Sequence, residues 1–134
     1  MYLSNLQRQH KEIFEVVNDI RKILGRNNIE EDASQIASQI SLLAGKLKVH
    51  LSSEDKHMYP SLIESTNMEL RKTAREFIDD MGHISGEFMA FKEKFNTKSK
   101  IAADTRTFAQ ETEKVFNILE TRIRKEESSL YTLL

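Results

Sequence analysis

His50-Leu51-Ser52-Ser53-Glu54-Asp55-Lys56-His57-Met58-Tyr59 aligns without a gap with Arg122-Ile123-Arg124-Lys125-Glu126-Glu127-Ser128-Ser129-Leu130-Tyr131. The offset is 72 residues at every position. Both copies carry an apolar second residue, a glutamate four residues after the first, a second acid directly behind it, and an apolar residue followed by tyrosine. A histidine repeats upstream as well: His10 stands 40 residues before His50, and His83 stands 39 before Arg122. The chain therefore reads as two copies of one unit, His…His-x-x-x-Glu, with Arg122 in place of one histidine. Ligand-type side chains set twice in matching positions point to a metal site built between two halves.

Outward from these two stretches the apolar periodicity is helical. One proline and four glycines leave few breaks. The spacing predicts a first helix from Ser4, capped with help from Gln7 and ended by Gly25 and Asn27-Asn28. A second begins near Asp32 or Ser34, carries Ile36, Ile40, Leu43, Leu47, His50, Glu54 and His57 on one stripe, and is kinked or interrupted by Pro60. Thr66-Asn67 caps a third, with Phe77, Met81, Phe88 and Phe91 inward. Asn96 to Lys100 reads as a loop, and a fourth helix carries Phe108, Val115, Leu119, Arg122, Glu126 and Leu130. Each helix has one apolar face. The predicted fold is all-α, an antiparallel up-down-up-down four-helix bundle with an internal two-fold repeat, one domain over residues 1–134.

The 134 residues suffice for a single core, and a net charge of −1 gives no reason to expect a nucleic-acid or acidic-membrane partner. No apolar run approaches a membrane span of about 20 residues. No cysteine is present, which removes disulfides and thiolate ligands. No basic stretch followed by an apolar one opens the chain, so a cytoplasmic location is expected.

His50 and Glu54 are four residues apart and share a helix face, which is also the apolar stripe. A buried ionised carboxylate costs several kcal/mol unless it is paired or bound to metal. Glu126, between Leu119 and Leu130, poses the same problem. Bundle cores answer it with metal sites made from facing helices, where imidazole suits iron, zinc or copper and a carboxylate can bridge two ions.

His10, His50-x-x-x-Glu54, His83 and x-x-x-Glu126 resemble the hemerythrin-like family, also called the HHE cation-binding domain. The run His50 to Pro60 is similar to that family's H-x-x-x-E-E/D-x-x-L-Y/F-P, and Ile123 to Tyr131 to its I-x-x-E-E-x-x-L-Y/F. The resemblance covers nearly the whole chain. It implies a non-haem di-iron centre inside a four-helix bundle. Carried over by position, His10 and His50 bind one iron, His83 binds the other, and Glu54 and Glu126 bridge them. Glu87 stands where the family often has a further histidine, and Arg122 where it has its last. His57, one turn beyond Glu54, is a candidate stand-in for the lost ligand. Asp79-Asp80 are candidate acceptors for His83. Arg122 either pairs with Glu126 or Glu87 in an emptied half-site, or bends outward and pairs with Glu126 from the side.

The implied function is a non-haem iron protein with a symmetric or asymmetric di-iron site that binds or senses oxygen, nitric oxide or iron. Its partners are then a metal ion and a small diatomic molecule. No nucleophile–base pair or nucleotide motif is visible, which favours a carrier, sensor or store over an enzyme. The alternatives are an iron-dependent oxidoreductase acting on peroxide or nitric oxide, and a metal-depleted regulatory bundle.

Overall fold

The structure is a computed structural model that describes residues 2–134. Its α-helices are α1 (Tyr2–Leu24), α2 (Ile29–His57), α3 (Tyr59–Ile63), α4 (Met68–Phe95), α5 (Lys98–Ala103) and α6 (Thr105–Lys125). The backbone of α6 continues into a π-helical turn, Glu126–Leu130, and a 3₁₀ turn, Tyr131–Leu133. No strand occurs among the described residues, so the all-α expectation holds. No helix among them is long and apolar enough to cross a membrane.

The long helices pack in a closed circuit: α1 on α2, α2 on α4, α4 on α6, and α6 on α1. Side-chain pairs give their directions. Gln9 meets Ser53 while Glu12 meets Lys46, so α1 and α2 run oppositely. Arg21 meets Glu113 and Glu120 while His10 meets Glu126, which opposes α1 and α6. Arg122 meets Phe77 while Lys94 meets Glu111, which opposes α4 and α6.

Several helix ends differ from the expectation. α1 is already helical before Ser4. Its turn at the far end places Asn27, not Gly25, in the left-handed region at φ 59°, a conformation asparagine tolerates. α2 starts at Ile29, before Asp32, because Glu30, Glu31 and Asp32 fill a first turn whose free N–H groups favour negative charge. Pro60 ends α2 and sits in the first turn of α3, where its missing N–H has no helical partner to lose. Asn67 caps α4 as expected, its side-chain oxygen accepting from Glu69 N and Leu70 N. The predicted loop from Asn96 to Lys100 is partly helix: Thr97 caps α5, and fully buried Ile101 anchors it against α2.

Apolar packing falls into two clusters. The larger runs from Ile13, Leu47, Met81 and Ile123 towards the loops after α1 and α4. The smaller gathers Leu6, Met58, Tyr59, Leu62, Phe77, Leu130 and Tyr131. Between them, on three separate chain segments, lie His10, His50 with Glu54, and Glu126. All four are buried at 2% exposure or less. The fold thus places a polar layer between two greasy ones, where water has little access and charge must be settled locally.

Candidate metal centre

α1 supplies His10, α2 supplies His50 and Glu54, and the π turn supplies Glu126. His10 Nε2 and His50 Nε2 face each other at 2.9 Å. Glu126 Oε1 lies 3.0 Å from the first and 3.6 Å from the second. Glu54 Oε1 stands 3.1 Å from His50 Nε2 and has no hydrogen-bond partner among the described residues. One ligand atom from each of His10, His50 and Glu126 falls within 4.8 Å of the other two, the grouping that can hold a metal ion.

The outer ring nitrogens are both anchored. His10 Nδ1 lies 2.8 Å from Glu127 Oε1, a carboxylate oxygen that only accepts, so this nitrogen carries the proton. Gln9 donates its amide to Ser53 Oγ at 3.1 Å, which leaves Gln9 Oε1 facing His50 Nδ1 at 2.9 Å. His50 Nδ1 is therefore a donor too. In the neutral rings both Nε2 lone pairs point inward, at each other and at carboxylate oxygens. Such a convergence of acceptors requires a cation at its centre, a proton or a metal ion. Orientation of ligand histidines through their second nitrogen is the usual support of metal sites, so this donor set fits a bound cation.

Two phenols close the remaining side. Tyr131 O–H donates to Glu126 Oε1 at 2.9 Å and lies 3.2 Å from His10 Nε2. Its ring stacks on that of His10, 4° from parallel with centroids 5.3 Å apart. Tyr59 O–H points to Glu126 Oε2 at 3.4 Å. The π turn explains how Glu126 and Tyr131 both point inward: the Tyr131 N–H bonds the Glu126 carbonyl, five residues back, so one sits directly over the other.

Burial and the neighbouring charges split the titrations. Burial lowers the His50 imidazole, but the neighbouring carboxylates of Glu126 and Glu54 outweigh it and raise the group to about 9. Burial pushes Glu54 above the usual carboxylate range, and the Glu126 charge adds to this. Burial also opposes ionisation of Glu126, but hydrogen bonds from His10 and His50 hold that carboxyl well below the usual range. Burial and the adjacent carboxylates push both phenols far up. A raised histidine stabilises the fold fully below its unfolded value of 6.5 and loses that contribution as pH rises through its folded value. Glu54, raised as well, works in the same direction. The metal-stripped protein is therefore expected to lose stability as pH goes from 6.5 to about 9. At about 1.4 kcal/mol per pH unit, His50 bounds its own share of the loss at roughly 3 kcal/mol. Urea unfolding at the two pH values checks this, and a midpoint that stays level or rises contradicts it.

The other predicted ligands do not join the cluster. His83 and Glu87 are exposed on α4, and His57 is exposed at the end of α2. The 3.6-residue period explains it: His83 lies about 80–120° off the centre of its helix's apolar stripe. His57, the last residue of α2, is exposed to solvent. The structure thus places His83, expected to converge with the others, and the further candidates Glu87 and His57 away from the cluster.

Arg122 fills the second half of the repeat, in neither of the two expected ways. It is 5% exposed, yet it pairs with none of Glu126 and Glu87. Its Nη2 donates to the Phe77 carbonyl at 2.8 Å, its Nη1 to Asp80 Oδ2 at 3.2 Å, and its guanidinium lies 4.0 Å over the Phe77 ring. Asp80, expected to serve His83, serves Arg122. Gln9, Glu127, Tyr59 and Tyr131 were not foreseen as part of the site. For the last three a signal existed, since the second acid and the tyrosine recur in both copies of the repeat. Gln9, beside His10, carried none.

Buried imidazoles and carboxylates converging from several helices, between two apolar layers, define a helical cation-binding protein. The chain belongs to the hemerythrin HHE cation binding domain family, whose model matches residues 1–134. No curated protein and no solved structure matches it.

Proposed function

We propose that this chain is a non-haem iron protein holding one iron between His10, His50 and Glu126, with Glu54 alongside, rather than the symmetric di-iron pair that the repeat suggests. The supporting observation is the 2.9 Å approach of two Nε2 atoms whose partner nitrogens both donate outward. The helices form an up-down-up-down four-helix bundle with a degenerate two-fold repeat, in which Arg122, Phe77 and Asp80 occupy the half that lost its ligands. Exposure of His83 and Glu87 supports this asymmetry. When bound, iron supplies a redox-active Lewis acid able to take a small diatomic ligand such as oxygen or nitric oxide. Binding or sensing of that kind, in a reducing compartment such as the cytoplasm, accords with a buried site and a chain without cysteine. The protein's own groups contribute orientation and charge: Glu127 and Gln9 fix the two rings, Glu126 supplies the anion, and the apolar layers exclude water.

Anaerobic reconstitution with ferrous iron, followed by metal analysis, tests the reading. About one iron per chain is expected. Two irons favour the di-iron alternative, and none favours the metal-depleted one. Glu127→Ala should weaken iron binding about 10- to 100-fold without changing the stoichiometry, because it frees the His10 ring rather than removing a ligand. Chelator competition reads the affinity, and an unchanged constant counts against the orienting role.

A further inference from the structure

Tyr131 stands from two of the proposed ligands at distances that match those among the ligands themselves. Donors bound about 2.1 Å from one cation, at right angles to each other, stand about 3.0 Å apart. His10 Nε2, Glu126 Oε1 and the Tyr131 phenol oxygen form a triangle with sides of 3.0, 2.9 and 3.2 Å. The same two atoms with His50 Nε2 in place of the phenol give 3.0, 2.9 and 3.6 Å. The phenol therefore completes a ligand face at least as well as the second imidazole does. It also has a single proton to offer, with Glu126 Oε1, His10 Nε2 and, at 3.4 Å, Glu54 Oε2 crowded around it. One hydrogen bond does not account for three acceptors meeting at one hydroxyl. A cation shared among them does. The stacked His10 ring and the π turn hold the phenol in place.

We propose that Tyr131 is itself a ligand, its phenol oxygen joining His10, His50 and Glu126 on a bound ferric ion. This rests on the one-iron reading above. On ligation the O–H bond breaks, a metal–oxygen bond forms, and the proton is released to solvent. Tyr59, its hydroxyl 3.4 Å from Glu126 Oε2, stays a hydrogen-bond donor.

The test loads the full chain with ferrous iron and oxidises it with ferricyanide. A ferric phenolate gives a visible charge-transfer band and tyrosine ring modes in resonance Raman spectra excited within that band. Wild type and Tyr59→Phe should show both. Tyr131→Phe, which keeps the ring stacked on His10, should keep its iron and lose both. A band that survives in Tyr131→Phe, or is absent from iron-loaded wild type, overturns the proposal while leaving the one-iron site standing. Wild type that takes up no iron overturns the site itself. Ring-deuterated tyrosine in the wild type, which should shift the Raman modes, checks that the band belongs to a tyrosine, and the two variants assign it to Tyr131.

Discussion

His50→Ala should strip the protein of iron while leaving its helices formed. His50 Nε2 faces His10 Nε2 and lies within 3.1 Å of Glu54 Oε1. No other imidazole replaces it, because His57 and His83 are exposed and lie outside the cluster. Removing a residue that merely orients a ligand costs about 10- to 100-fold in affinity. Removing the ligand should exceed that, a loss of more than about 2.7 kcal/mol in binding. His83→Ala is the matched control and should leave affinity unchanged. The fold should survive in both, since two apolar clusters flank the layer and carry the packing. Chelator competition gives the affinity and circular dichroism the helix content. Iron retained within threefold in His50→Ala would refute the site as drawn, and so would equal losses in the two variants.

Arg122→Ala should lower stability by about 2 kcal/mol, and Arg122→His should not add a second iron. The first figure is a balance. The stacked guanidinium over Phe77 contributes about 2 kcal/mol where water is excluded. The bond to the Phe77 carbonyl adds about 1. Asp80, whose side chain is 55% exposed, adds less than about 1 because solvent screens it. Against these stands Arg122 Nε, buried without a partner, whose penalty of about 1–3 kcal/mol disappears with the side chain. The net value corresponds to a fall of roughly 8 °C in Tm for a chain of this size. Calorimetry on the metal-stripped protein reads it, and an unchanged or higher Tm would show that the orphaned Nε outweighs the rest. The histidine variant restores the repeat on paper. In space its new imidazole has no companions, because His83 and Glu87 point to solvent. A second iron in Arg122→His would mean that α4 rotates on metal binding.

The sequence carried the helices and half of the site for a simple reason. Where a ligand falls on the apolar stripe, as His50 and Glu54 do, one period of 3.6 residues reports both helix and inward direction. His83 was legible as a repeat partner but not as an exposed residue, since a repeat preserves spacing along the chain and not helix rotation. The role of Arg122 was hidden because its partners, Phe77 and Asp80, lie on another helix and depend on how α4 and α6 cross. The helix at Lys98–Ala103 was missed because one buried residue, Ile101, decides it, and a single apolar position shows no period.

The π turn makes helix winding, rather than side-chain identity, the switch for part of this pocket. In unbroken α-helix, five residues advance about 500°, which leaves Tyr131 facing about 140° away from Glu126. Winding those five steps as plain α-helix would swing the phenol out of the pocket while keeping every histidine and glutamate of the cation site, whereas deleting one residue from Ser128 to Leu130 would leave four steps, about 400°, and bring the tyrosine back to within about 40° of Glu126 without any π turn. The tyrosine contact therefore depends on how these few residues are wound as well as on which residues they are. A comparison of ligand letters alone would never register the change.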